Sequence, residues 1–376
     1  MKRICVWGTS FKKVADEAQL LAIHTILTEK FPGASIHYFA RYGEFISGHR
    51  PEIRATRIAQ VFRIVSLLSK ADLLLIVGGP FYEAPFQALT CFSLFIAARL
   101  FRCTVAAYGI TLFPFRTWWG KILYRGILNR LSVIEVRDAI GIDILRELGV
   151  TSRVTSGADP RYVLEPAPPE RVREIFKKEM LDPDQPAIAI TTRYLHAEAP
   201  KWVRRSHAYS SARVNNANDV MGRVLAALSD HAQLIIIPMH PSHDEDDETA
   251  AALRAHLRDP SRLKVLTQRY SATEVIGIIH HCGFLLAGRQ GSAIFATATA
   301  TPMVAVAYEA RMIDHMQRAG QADCVFDWKT IEYEPLMAKI VEVQTTAAKN
   351  RAMRLDDAKQ WKQRAWDDAA LLETLI

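Results

Sequence analysis

Short, continuously apolar runs alternate with amphipathic stretches along most of this chain. In the first half, runs at 3–7, 34–39, 72–77, 104–108, 133–136 and 153–155 read as strands. Between them, 14–30, 52–69, 86–100, 118–131 and 139–148 carry helical spacing. The rhythm repeats in the second half. Strands are predicted near 187–192, 233–237, 263–265, 284–287 and 303–307, with helices near 217–229, 247–257, 272–281, 292–298 and 310–319. Strands without in–out alternation, separated by amphipathic helices, imply parallel sheets covered on both faces. The expected fold class is α/β, with two doubly wound Rossmann-like domains facing across a cleft in a GT-B-like manner.

Two proline-rich segments, 164–170 and 181–186, flank one short charged helix and mark the expected linker. The reading is an N-terminal domain over 1–165, a linker over 166–186, a C-terminal domain over 187–345 and a C-terminal helix over 346–376. That last tract forms helix from Tyr333 onward with a break near Asn350. It spaces Trp361 and Trp366 for docking on a neighbouring surface.

Composition narrows the class. Hydrophobic residues make up 49% of the 376 positions and charged ones 23%, which is globular composition. A net charge of +7 suits anionic small molecules, an anionic lipid surface or nucleic acid and decides nothing alone. No basic arm or aromatic platform points to nucleic acid. The five cysteines (Cys5, Cys91, Cys103, Cys282, Cys324) form no CxxC pair and read as reduced, buried hydrophobes without disulfide or zinc. The N-terminal apolar run is too short for a signal peptide, and 86–101 falls short of a membrane span, so a cytoplasmic protein is expected. Two segments leave peripheral contact with the inner membrane face open. One is the stripe Ile58, Val61, Phe62, Val65 and Leu68, and the other is the aromatic and basic run 112–121.

Candidate chemistry gathers where strands end. In the second half, 191–193 closes one strand and His240 follows another. Gly288-Arg289-Gln290-Gly291-Ser292 and Tyr308-Glu309-Ala310-Arg311 form two strand-to-helix turns, each with an arginine. Such turns aim backbone N–H groups and a positive dipole end at the crevice above a sheet, and guanidinium pairs well with carboxylate or phosphate. Arg193, Arg289, Gly291, Ser292 and Arg311 are therefore the expected anion-binding set, with His240 as a further site candidate. The acidic run 244–248 reads as a helix N-terminus rather than a metal site. Arg204, Arg205 and His243 read as solvated or capping, and His280 and His281 as structural. On the first domain, Gly8, Thr9, Asp16, Gly78 and Gly79 form the expected acceptor side. No G-x-G-x-x-G follows the first strand, so a dinucleotide is not expected.

In order and spacing, these pieces resemble the polysaccharide pyruvyl transferase family from Val6 to Asp327. They include Ala15-Asp16-Glu17, the strand leading to Gly78-Gly79, the segment 135–150, Gly157-Ala158-Asp159-Pro160, the run 237–247, and the turn 287–296 with Pro302 and Tyr308-Glu309-Ala310-Arg311. The resemblance implies a GT-B-like fold and a phosphoenolpyruvate co-substrate with no resident cofactor or metal. It also implies transfer of pyruvate as a ketal to a sugar of a cell-surface polysaccharide or its lipid-linked precursor. It makes the anion-binding set donor-binding, with His240 and Arg289 as catalytic candidates, and places Arg193 and Arg289 on the donor's phosphate and carboxylate. This chain departs from the family pattern at Ala15, where glycine is usual, at Pro80, where a third glycine is usual, and at Gly291, where a histidine is usual. The departures leave two alternatives open: a nucleotide-sugar glycosyltransferase, or a non-catalytic member that binds a glycan precursor or partner.

Overall fold

A computed structural model of the chain describes residues 1–8, 13–41, 46, 50–192, 211–240 and 244–376, with side chains throughout except at 211–213 and 244–246. The chain divides into two compact units, Met1–Leu164 with Trp361–Ile376, and Glu165–Gln360.

The first unit is built on seven parallel strands: β1 (Arg3–Trp7), β2 (Ser35–Ala40), β3 (Ala55–Arg57), β4 (Leu73–Val77), β5 (Thr104–Ile110), β6 (Ile134–Val136) and β7 (Val154–Ser156). Their order across the sheet is β3-β2-β1-β4-β5-β6-β7. Helices α1 (Val14–Lys30), α2 (Val61–Leu68), α3 (Pro85–Leu100), α4 (Trp118–Leu128) and α5 (Ala139–Glu147) connect them. Every residue of β4, Leu73 to Val77, is buried, which explains its lack of alternation. Asp138 starts α5 by accepting the Gly141 N–H, and Thr117 does the same for Gly120 in α4.

The second unit holds α6 (Pro169–Lys178), β8 (Ala187–Thr191), α7 (Ser211–Ser229), β9 (Gln233–Ile236), α8 (Asp244–Arg254) and β10 (Leu263–Val265). After these come α9 (Ala272–Cys282), β11 (Leu285–Ala287), α10 (Gln290–Ala298), β12 (Met303–Ala307), α11 (Ala310–Arg318), β13 (Val325–Asp327) and α12 (Tyr333–Thr345). Its sheet is also parallel, in the order β10-β9-β8-β11-β12-β13. Helix α9 shows why its ends lie where they do. Ser271 and Glu274 form a reciprocal capping box, and Gly283 closes the helix at a φ of 72°.

Three differences from the sequence reading have local causes. Residues 52–69 are not one helix. The Thr56 side chain is buried and meets His37 Nε2 at 2.6 Å, which draws 55–57 into the sheet beside β2 and delays the helix to Val61. The short edge strand β13 was not expected; it pairs with β12 through three residues. The segment expected as a linker belongs to the second unit, where α6 buries Val172, Ile175 and Phe176. The C-terminal tract does break near Asn350 as expected, between Thr345 and Arg351, and in its last helix, α13 (Arg351–Ala369), Trp361 stacks on Tyr162 with centroids 5.3 Å apart.

Candidate functional site

In an open parallel sheet, a crevice forms where neighbouring strands send the chain in opposite directions. In the second unit that point lies between β8 and β11. Ala287 is in register with Thr191, so Gly288-Arg289 leaves β11 alongside Thr192 as it leaves β8. The Gly288 N–H donates to the Thr191 carbonyl at 2.8 Å, and a Cβ at Gly288 would collide with that oxygen. Only glycine allows so close an approach.

Arg289 then begins α10 in an extended conformation, φ −137°. Its side chain is buried, and Nε donates to the Thr192 carbonyl at 2.6 Å. Ser292 Oγ donates back to the Arg289 carbonyl at 2.7 Å and accepts from Thr191 Oγ1 at 2.7 Å. With no exposure and its hydroxyl spent in this way, Ser292 is a strut of the turn rather than a ligand-facing group.

Arg311 lies in the first turn of α11 and is also buried. Its carbonyl accepts from Gln290 Nε2 at 3.3 Å, tying the α10 and α11 turns together. Neither N-cap side chain, Arg289 or Glu309, bonds its own first turn. The Glu309 carboxylate instead accepts from the Tyr308 hydroxyl at 3.0 Å. Two buried arginines and two helix N-termini thus follow directly on the adjacent strands β11 and β12, an arrangement suited to an anion. A cavity of about 50 Å³ opens on the α7 and α8 side of the same strand ends. It is lined by Met221, Leu253, Val306 and Trp328, with Thr191, Thr192, Asn218 and Tyr308 supplying polar groups.

His240 is half-buried four residues beyond β9, the strand next to β8. Gly291 lies in the first turn of α10, so the residue at that place carries no acid–base group. Arg193, Thr9, His243, Arg204 and Arg205 lie outside the described residues. His281 donates from Nε2 to the Pro183 carbonyl at 3.0 Å and meets Phe176 edge-on, a structural position.

In the first unit the strand order reverses between β1 and β4. Gly8 has a φ of +116°, and a Cβ there would strike the Val77 carbonyl oxygen. Gly78 has a φ of +70° and faces Gly8. The close backbone approach here is therefore between these two turns themselves, and at Gly79 a Cβ would make only ordinary contact. Asp16 is half-buried at the start of α1, whereas its neighbour Glu17 is buried and paired with Arg50 at 3.1 Å.

Sequence reasoning missed a polar network at the ends of β5, β6 and β7. Arg137 donates to Thr111 Oγ1 at 2.7 Å and Gln19 Oε1 at 2.6 Å, and lies 3.3 Å from Asp159. Arg161 grips the same carboxylate through Nε and Nη2 at 2.8 and 2.7 Å. Burial alone would raise the Asp159 carboxyl, but the Arg161 and Arg137 charges hold it well below the usual carboxylate range. The signal available was Asp159 within Gly157-Ala158-Asp159-Pro160, directly after a strand.

A family model described as polysaccharide pyruvyl transferase matches residues 16–310. The chain belongs to that family. A similar protein is the amylovoran biosynthesis protein AmsJ of Erwinia amylovora. It is 22% identical over 280 residues, covering 73% of this chain but only 65% of AmsJ. Among solved structures, the UDP-GlcNAc 2-epimerase from Methanocaldococcus jannaschii aligns over 91% of this chain and 92% of its own, with a TM-score of 0.59 at 13% identity. The E. coli ADP-heptose lps heptosyltransferase II aligns over 93% of this chain and 100% of its own, with a TM-score of 0.52 at 13% identity. These likenesses establish a fold of two Rossmann-like parallel sheets with GT-B neighbours.

Proposed function

We propose that this pyruvyl transferase family member moves pyruvate from phosphoenolpyruvate onto two hydroxyls of one sugar, as a ketal. The sugar belongs to a cell-surface polysaccharide or its lipid-linked precursor. Family membership and the AmsJ relative support a transferase of polysaccharide biosynthesis. The observation that carries the donor assignment is the buried Arg289 at the β8–β11 switch point, beside Arg311 and two helix N-termini.

The chemistry assigns tasks to these groups. An acid protonates the enol CH₂, leaving an oxocarbenium-like centre at C2 that one sugar hydroxyl attacks as it loses its proton. The second hydroxyl then displaces phosphate from C2, and the ketal and inorganic phosphate balance the reaction without a resident cofactor. Arg289, with Arg311 and Arg193, neutralises the carboxylate and the leaving phosphate. His240 supplies the proton that Gly291 cannot.

Calorimetry with phosphoenolpyruvate tests the donor site. Arg289→Ala should lose binding while keeping a folded thermal transition; unchanged binding would overturn the assignment. A thermal-shift series with phosphoenolpyruvate and UDP- and ADP-sugars separates this reading from a nucleotide-sugar transferase. His240→Ala should keep donor affinity and lower phosphate release about 10²–10⁴-fold, the usual worth of a positioned acid–base group. Gly291 favours one second reading, a family member that binds donor without turnover. Donor binding by the wild type with no phosphate release in the presence of a diol-bearing glycan acceptor would select it.

A further inference from the structure

The outer surface of α2, α3 and α4 is apolar where a soluble helical layer would be polar. Helix α3 is hydrophobic all round. Ala88, Cys91, Leu94 and Ala98 face the core, while Phe86, Leu89, Phe92, Ile96 and Leu100 form an exposed stripe over four turns, with Phe86 66% and Leu100 76% exposed. On α2, Ile64 and Leu68 point inward and leave Phe62 93% exposed beside Val61 and Val65. On α4, Trp118 and Ile122, one turn apart, are 76% and 67% exposed. Helix α3 contacts both α2 and α4, so the three helices that carry these stripes are neighbours. An apolar helix face of this kind is ordinarily covered.

Charge identifies what covers it. Residues 53–134 contain ten lysines and arginines but only two acids, Asp72 and Glu83. Their surplus of eight exceeds the +7 of the whole chain, so the remainder is slightly acidic. Both acids are occupied. Asp72 accepts the Arg3 N–H at 2.7 Å, and Glu83 accepts the Arg116 and Thr117 N–H groups at 2.8 and 2.7 Å. Arg63, Lys70, Arg99, Arg102, Lys121 and Arg125 are exposed around the apolar stripes. Apolar and aromatic side chains among exposed cations in net excess match an acidic bilayer surface, where acyl chains take the former and headgroups the latter. A second copy of this face would instead set cation against cation. No described helix is long and apolar enough to cross a membrane, so the contact would be peripheral.

We infer that the α2–α3–α4 face of the first unit docks on an anionic lipid surface, holding the protein at the membrane. The inference rests on this face alone and stands or falls separately from the donor assignment in the second unit.

Vesicle co-sedimentation of the full chain tests it. The wild type should pellet with phosphatidylcholine vesicles containing 30% phosphatidylglycerol at 0.1 M NaCl, and at least tenfold less with phosphatidylcholine alone or at 0.5 M NaCl. Phe62→Ser, Phe86→Ser, Leu89→Ser and Trp118→Ser combined, all at exposed positions, should abolish pelleting and leave the melting profile and calorimetric donor binding as in the wild type. A separate Arg99→Glu, Lys121→Glu variant should lose the dependence on phosphatidylglycerol. Wild type left in the supernatant, or equal pelleting by the wild type and the four-serine variant, would overturn the proposal. So would a wild-type dimer by light scattering that the four-serine variant converts to monomer, because the face would then belong to a second copy.

Discussion

At the β8–β11 junction one methyl group decides whether the turn can form. A Cβ at Gly288 would meet the Thr191 carbonyl, which is backbone and cannot swing aside, while at Gly79 it would rest about 3.5 Å from the Thr111 oxygen in ordinary contact. Gly288→Ala should therefore cost about 1–3 kcal/mol, the range for forced overpacking. Gly79→Ala should be nearly neutral in the same urea titration, and equal losses at the two sites would contradict the geometry. The sequence drew attention to Gly78-Gly79 as a pair but could not say which glycine meets backbone, because that depends on the neighbouring strand. Arg289 and Arg311 were legible because each follows an apolar run at a strand-to-helix turn, and the structure buries both there. The engagement of Ser292 was not, since a hydroxyl in a first helical turn looks the same whether it faces a ligand or Thr191.

Elements were legible where burial on both faces suppresses alternation, as in β4 and β12, each buried at every residue. The three-residue strands β3 and β13 escaped notice because they owe their conformation to a neighbouring strand rather than to their own pattern. The C-terminal tract shows how far an element can act from its place in the chain. Asp368 of α13 accepts the Ala158 N–H at 2.6 Å, and its charge bears on Glu135 of β6. Burial first, and the Asp368 charge second, raises the Glu135 carboxyl well above its ordinary 4.5. The sign follows from linkage. Below pH 4.5 Glu135 is protonated in both states, and as pH rises the unfolded chain releases this proton first. Folding stability at this site therefore falls from about pH 4.5 upward. Glu135→Gln should be more stable than the wild type at pH 8 and close to it at pH 4, as read from urea midpoints. A constant offset across that range would mean Glu135 is ionised in the folded protein.

Across the whole molecule, each unit has its own sheet, its own switch point and its own hydrophobic core. One core is centred on Leu74, Ile76, Tyr124 and Ile134, and the other on Ile190, Leu234, Leu286 and Val304. Independent cores of this size are expected to give two calorimetric transitions. They can be assigned by substitution, because Gly8→Ala strains only the first unit and Gly288→Ala only the second. A ligand that binds the native state alone stabilises the unit that holds it by about 2.7 kcal/mol at a hundredfold excess over Kd. If phosphoenolpyruvate is held at the β8–β11 turn, it should raise only the transition that Gly288→Ala lowers, and Arg289→Ala should remove the shift. Movement of the Gly8→Ala transition instead would transfer the donor to the first unit, where the Arg137, Arg161 and Asp159 network would become the group to explain.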